Sequence, residues 1–131
     1  MASVTFSELE VKYLEERRLA HIATVGSDDA QPDVAVCGFE FEDDHFLIAG
    51  FNLQKTIKYQ HVRTNPLVAV VIDDLESVRP WRPRGVKIYG RAVTMLYGGR
   101  EVISVTPIEK WSWGIDKPAF VEGTYNLQAN R

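Results

Sequence analysis

The sequence is poor in most of the features that would announce a chemistry. Its 131 residues include one cysteine, Cys37, so no internal disulfide can form. That fits a reducing, cytoplasmic setting. The longest apolar run, Leu67 to Ile72, is far too short to cross a bilayer. The beginning of the chain is polar and amphipathic, so no secretory signal is expected there. Basic residues are not in excess: 15 Lys and Arg face 18 Asp and Glu, for a net charge of −3. This speaks against nucleic-acid binding, although a local patch can still take a small anion. His21, His45 and His61 lack metal-ligand spacing, so no metal is expected. Walker A, G-x-G-x-x-G and G-x-S-x-G motifs are all missing. No repeat, low-complexity tract or linker divides the chain, and a single domain over residues 1–131 is the expectation.

What remains is a succession of short periodic segments. Thr5-Phe6-Ser7-Glu8 reads as a capping box. A helix follows to about Arg18, with Leu9, Tyr13 and Leu14 as its buried side. A strand over Leu19–Val25 ends in the turn-rich Gly26-Ser27-Asp28-Asp29. Residues Asp33–Glu42 alternate with period two. Val34, Val36 and Gly38 face one way; Ala35, Cys37, Phe39 and Phe41 face the other. After Asp43-Asp44, His45–Phe51 returns as a third strand. A second helix runs from Gln54 to Asn65, where Pro66 stops it. Leu67–Ile72 is a buried strand ended by Asp73-Asp74, and residues 73–85 read as an Arg- and Pro-rich loop. Val86–Met95, Glu101–Thr106 and Trp113–Ile115 are further strands, with Gly98-Gly99 as a turn. The tail from Lys117 is expected to be irregular. Six or so antiparallel strands with two helices close most economically into a small barrel, which removes the sheet edges.

Four segments have chemical potential. Lys55, Thr56 and Lys58 sit at the start of the second helix, where free N–H groups and the helix dipole favour an anion. Together they make a phosphate cradle or, equally, an exposed basic turn. Arg79-Pro80-Trp81-Arg82-Pro83-Arg84-Gly85 surrounds a stacking surface with guanidinium groups suited to phosphate or carboxylate; it also suits a surface connector. Trp111 and Trp113 can line a pocket or close a core. The small face of residues 34–38 can lie against a planar ring or simply pack.

The order of these segments resembles the pyridoxamine 5′-phosphate oxidase-like split barrels over residues 7–116. The stretches that carry the resemblance are Leu19–Gly26, Lys58-Tyr59 with Val62–Pro66, Asp73-Asp74-Leu75, Pro80–Val86 and Ser112–Asp116. Within that group it looks most like an actinobacterial branch that uses a deazaflavin, coenzyme F-420, and includes a dehydrotetracycline reductase. The resemblance implies a six-stranded split barrel, mainly β with packed helices, working as a homodimer with two cofactor sites at the interface. It assigns Lys55, Thr56 and Lys58 to the phosphate and Val34, Ala35 and Val36 to the strand beside the ring. Trp81 and Trp113 border the same site, in part from the partner subunit.

The function so implied is hydride transfer from reduced F-420 to an electron-poor double bond of a small organic substrate. The cofactor then supplies the hard step, which accounts for the lack of a catalytic triad. Tyr59, His61 or water is left to deliver the proton. Two alternatives share the fold: an FMN-dependent reductase or oxidase, and a non-catalytic flavin or deazaflavin carrier or sensor. A heme-handling role finds no axial histidine.

Overall fold

The computed structural model describes residues 4–27 and 31–117, together with two short strands over 120–121 and 124–125. Asp28 and Asp29 of the predicted turn lie outside the described residues. The first helix, α1, spans Glu8–Glu16. The strands are β1 (Leu19–Thr24), β2 (Asp33–Glu42), β3 (His45–Ile48), β4 (Leu67–Ser77), β5 (Arg82–Tyr97) and β6 (Arg100–Trp113). A second helix, α2 (Ile57–Thr64), precedes β4. The six strands close into an antiparallel barrel of order β1-β2-β3-β6-β5-β4. The expected split-barrel fold is the observed one. No helix among the described residues is long and apolar enough to cross a membrane.

Closure depends on β4, which pairs with β5 along its length and returns to β1 through His21–Thr24. Alternation then decides burial. Ile22, Val70, Ile72, Val86, Ile88, Ile103 and Val105 point inward with Phe46 and Ile48, each with at most 1% of its surface exposed. Side chains at intervening positions face out. The β2 boundaries and its two faces are those expected from the alternation.

Elsewhere tertiary contacts override the local reading. The capping box lies two residues later than Thr5-x-x-Glu8. Ser7 Oγ accepts from the Glu10 amide and Glu10 Oε1 accepts from the Ser7 amide. Both spacings satisfy the motif, but only Glu10 meets partners on the barrel. Lys110 Nζ and Ser112 Oγ each donate to its carboxylate at 2.5 Å. The helix therefore buries residues 10, 13 and 14, and Leu9 is exposed. The loop expected over 73–85 is mostly sheet. Asp74 faces Arg84 across the β4–β5 ladder and accepts two hydrogen bonds from it, so charge that reads as a turn is in fact paired. The two strands expected at 101–106 and 113–115 are one continuous strand, β6. It absorbs a register shift where Gly90 stands opposite Pro107. A Cβ on Gly90 would lie 2.7 Å from Val105 and 2.9 Å from the Thr106 carbonyl. Within the tail expected to be irregular, Phe120–Val121 pairs with Thr124–Tyr125.

Burial raises the Glu10 pKa, but hydrogen bonds from Lys110, Ser112 and the Ser7 amide outweigh it and hold the carboxyl below its ordinary value. A depressed folded pKa gives stability that is present above the unfolded value and lost as pH falls through the folded one. Glu10→Gln should therefore cost on the order of 2 kcal/mol at neutral pH. Denaturant titrations of the two proteins should converge as pH drops below about 4.5.

Candidate functional site

The start of α2 is built differently from a simple basic turn. Leu53–Lys55 forms a separate 3-10 turn, entered through Asn52 at φ 52°. Thr56 then adopts an extended backbone and caps α2. Its hydroxyl donates to the Leu53 carbonyl at 2.6 Å and accepts from the Tyr59 amide at 3.3 Å. The Thr56 side chain is thus committed to the cap, and the amides of Ile57 and Lys58 are left free, with no partner among the described residues. Lys55 is exposed on the turn. Lys58 instead turns inward and is only 9% exposed, near the buried thiol of Cys37. The two lysines do not share an exposed helix face, as the 54–65 helix would have implied. Lys58 makes no hydrogen bond or ion pair with any described residue. A buried ammonium without a counter-charge is costly, and a bound anion removes that cost. Burial pushes the Cys37 thiol up, with Lys58 acting against it.

Val34 and Val36 lie on the outer surface of β2, at 67% and 59% exposure. Ala35 faces the interior with Cys37. Register extends the outer surface across three more strands. Val36 faces His21 and Val34 faces Ala23; these in turn face Val71 and Ala69, which lie opposite Lys87 and Tyr89. Leu19 and Leu67 are exposed on the same side, each above half. Interrupted by His21 and Lys87 alone among those positions, an exposed apolar face of this extent is unusual on a monomer.

Trp81 stands exposed in the turn between Ser77 and Arg82. Leu67, just after α2, lies at the other end of the β4–β5 ladder, opposite Arg91. At about 3.3 Å per residue, the ribbon between them is on the order of 30 Å long. Trp81 makes no cation-π contact with Lys55 or Lys58 among the described residues. Arg84 is also withdrawn from ligand duty. It and Arg17 both hold Asp74 at 2.7 Å, and the Tyr13 hydroxyl donates to the same carboxylate at 2.8 Å. The two guanidinium groups flank the Tyr13 ring at 4.7 and 5.2 Å. Burial opposes ionisation of Asp74, but the bonds from Arg84 and Tyr13 outweigh it and lower its pKa. Burial and the Asp74 hydrogen bond push the Tyr13 phenol well above its ordinary range. Trp113 is buried, and its ring occupies the space a side chain at Gly85 would need. Gly114 follows at φ +70°, close against the Pro83 carbonyl.

A concavity of about 1240 Å³ involves none of the eight residues named from the sequence. It runs from the end of α1 across the outer side of β2–β3 to the β5–β6 turn. Leu53 and Gln54 line it, one residue before Lys55, as does Gly38, at the end of the Val34-Val36-Gly38 face. Glu101 on its wall accepts from the Tyr59 hydroxyl at 3.0 Å. His61 is turned elsewhere: its Nδ1 shares a hydrogen bond with Thr24 and its ring packs under Gly26. No group of three or more His, Cys, Asp and Glu side chains suited to a metal occurs among the described residues.

No family model matches the chain. A 5a,11a-dehydrotetracycline/5a,11a-dehydrooxytetracycline reductase of Streptomyces rimosus is 31% identical over 121 residues, spanning 85% of this chain and 84% of that protein. The chain belongs to the pyridoxamine 5′-phosphate oxidase-like split-barrel family. Solved split barrels agree in fold. A conserved hypothetical protein from Mycobacterium tuberculosis is 18% identical at a TM-score of 0.69, covering 87% of this chain and 88% of that one. An F420 reductase is 19% identical at a TM-score of 0.61, covering 81% and 98%. In this split barrel, Trp113 carries a packing load. Trp113→Ala should cost about 3–5 kcal/mol, and a thermal or denaturant melt would register it without any ligand present.

Proposed function

We propose that this split barrel is an oxidoreductase that binds reduced coenzyme F-420 and passes hydride to an electron-poor double bond of a small organic substrate. The observation that carries the reading is Lys58, a buried ammonium at a helix start with no counter-charge among the described residues. The donor set fits a phosphate: one buried cation, two free amides and the positive end of the α2 dipole. Lys55, exposed one residue before the cap, adds a second positive charge at the rim. The kinship to a dehydrotetracycline reductase and the likeness in fold to an F420 reductase support the redox assignment.

A bound deazaflavin supplies hydride at a ring carbon and needs little acid–base help from the protein. The chain's part is to hold, orient and shield. Lys58 and the α2 amides fix the phosphate end. The first half of the outer surface of β2, Val34, Val36 and Gly38, gives a planar ring a flat, non-reactive support before Glu40 and Glu42 take over that face. Tyr59 holds a proton on Oη against Glu101 at the groove wall, whereas His61 is engaged with Thr24. That placement favours Tyr59 over His61 as the side chain that serves proton delivery.

FMN also carries a phosphate, so the same cradle serves an FMN-dependent reductase or oxidase. Fluorescence titration of the cofactor-free protein with F-420 and with FMN separates the two. Tighter binding of F-420 is expected; preference for FMN moves the assignment to the flavin, and binding of neither removes the redox reading. Lys58→Ala should weaken binding by about 1.5–3 kcal/mol through loss of a charge-assisted contact, and unchanged affinity in the folded variant sinks the cradle.

The reading includes a homodimer, with the outer faces of β2, β1 and β4 against their symmetry mates. A second copy supplies the apolar cover that Val34, Val36 and Leu67 lack, and it brings a Trp81 from outside the chain toward each site. Such a contact is isologous. Val36→Glu should shift sedimentation velocity from dimer to monomer at micromolar protein; a wild-type monomer at the same concentration overturns the arrangement.

A further inference from the structure

We propose that the groove between α1, β2–β3 and the β5–β6 turn seats a flat, largely apolar small molecule that is neutral or cationic. The inference deepens the redox reading by naming a substrate class and rests on it for the word substrate alone; the binding site stands on the groove itself.

The floor is apolar, with Leu14, Phe39, Leu53 and Val102 buried beneath it. At the lip, Phe51 has 92% of its surface in solvent, directly before the left-handed turn at Asn52. An aromatic ring so exposed beside an apolar floor is a stacking surface without its partner. The charges select the ligand. Glu15, Glu40, Glu42 and Glu101 line the groove, against Arg17, Arg18 and Arg100. Arg17 is already held by Asp74, which leaves four carboxylates facing two arginines.

Two of those carboxylates are fixed in place. Glu42 Oε2 accepts from the Tyr97 hydroxyl at 2.6 Å, and Glu101 Oε2 accepts from Tyr59 at 3.0 Å. The Oε1 atom of each has no partner among the described residues and is available to a ligand N–H or O–H. Oriented acceptors above an apolar floor are the usual make-up of a small-molecule site. The groove also lies beside the cradle, because Gln54 on its wall precedes Lys55.

The test is fluorescence titration of the full chain with 9-aminoacridine, a flat cation, and with anthracene-9-carboxylate, an anion of the same ring size. Saturable binding of 9-aminoacridine is expected, at least about tenfold tighter than the anion. The double variant Glu42→Gln and Glu101→Gln should weaken it about tenfold or more, equivalent to at least ~1.4 kcal/mol. Phe51→Ala, at a residue that bears no packing load, should weaken it severalfold without changing the melting temperature. Equal affinity for the anion, or indifference to the variants, overturns the proposal. So does displacement of 9-aminoacridine by F-420 or FMN, which would give the groove to the cofactor. Expected 9-aminoacridine results with no binding of F-420 or FMN would leave the groove in place and remove the redox reading.

Discussion

The barrel exists because β4 pairs on both sides. Its ladder with β5 is continuous from Leu67 to Leu75, and its ladder with β1 closes the ring over four residues. Once closed, every strand position is assigned an inside or an outside. Isoleucines, valines and Phe46 fill the inside with almost no exposed surface. The outside is left to work with whatever the alternate positions supply. On β2 those are small and branched; on β2–β3 toward the turns they are carboxylates. The surfaces proposed to bear ligands are consequences of that partition.

Charge is distributed with the same economy. Asp74 and Glu10 are each surrounded by donors from distant segments, and both bind α1 to the barrel. Arg84, conspicuous in the sequence as a phosphate-binding candidate, is consumed in this way. Lys58 has received the opposite treatment: it is buried at a helix start with no acid beside it among the described residues. That contrast with the paired Asp74 and Glu10 is the basis for proposing an anion at Lys58.

How much of this could be read from the residues varies with the range of the interactions. The β2 strand was legible because its period-two pattern is local, and the barrel followed from the count of such strands. The helix start at Ser7 was not, because Thr5-x-x-Glu8 and Ser7-x-x-Glu10 satisfy the same rule and only Lys110 and Ser112, about a hundred residues on, decide between them. The 73–85 segment looked like a loop because aspartate, arginine and proline are poor strand formers, yet the Asp74–Arg84 pair makes them a ladder. The importance of Lys58 over Lys55 depends on which way each side chain turns at the Thr56 cap. The groove was invisible, because it is assembled from stretches near residues 14–18, 38–42, 47–54 and 97–102 that carry no shared motif.

The closed ring has a further consequence for how copies of this chain can meet. With its strands joined in a circle, the barrel leaves backbone unpaired only where a strand outruns its neighbour, as β6 does beyond its short ladder with β3. In the homodimer proposed above, association proceeds face against face through side chains, and a two-fold face uses itself up when it pairs. Assembly in that arrangement stops at two copies, and sequence drift on the face changes the strength of pairing rather than the number of partners.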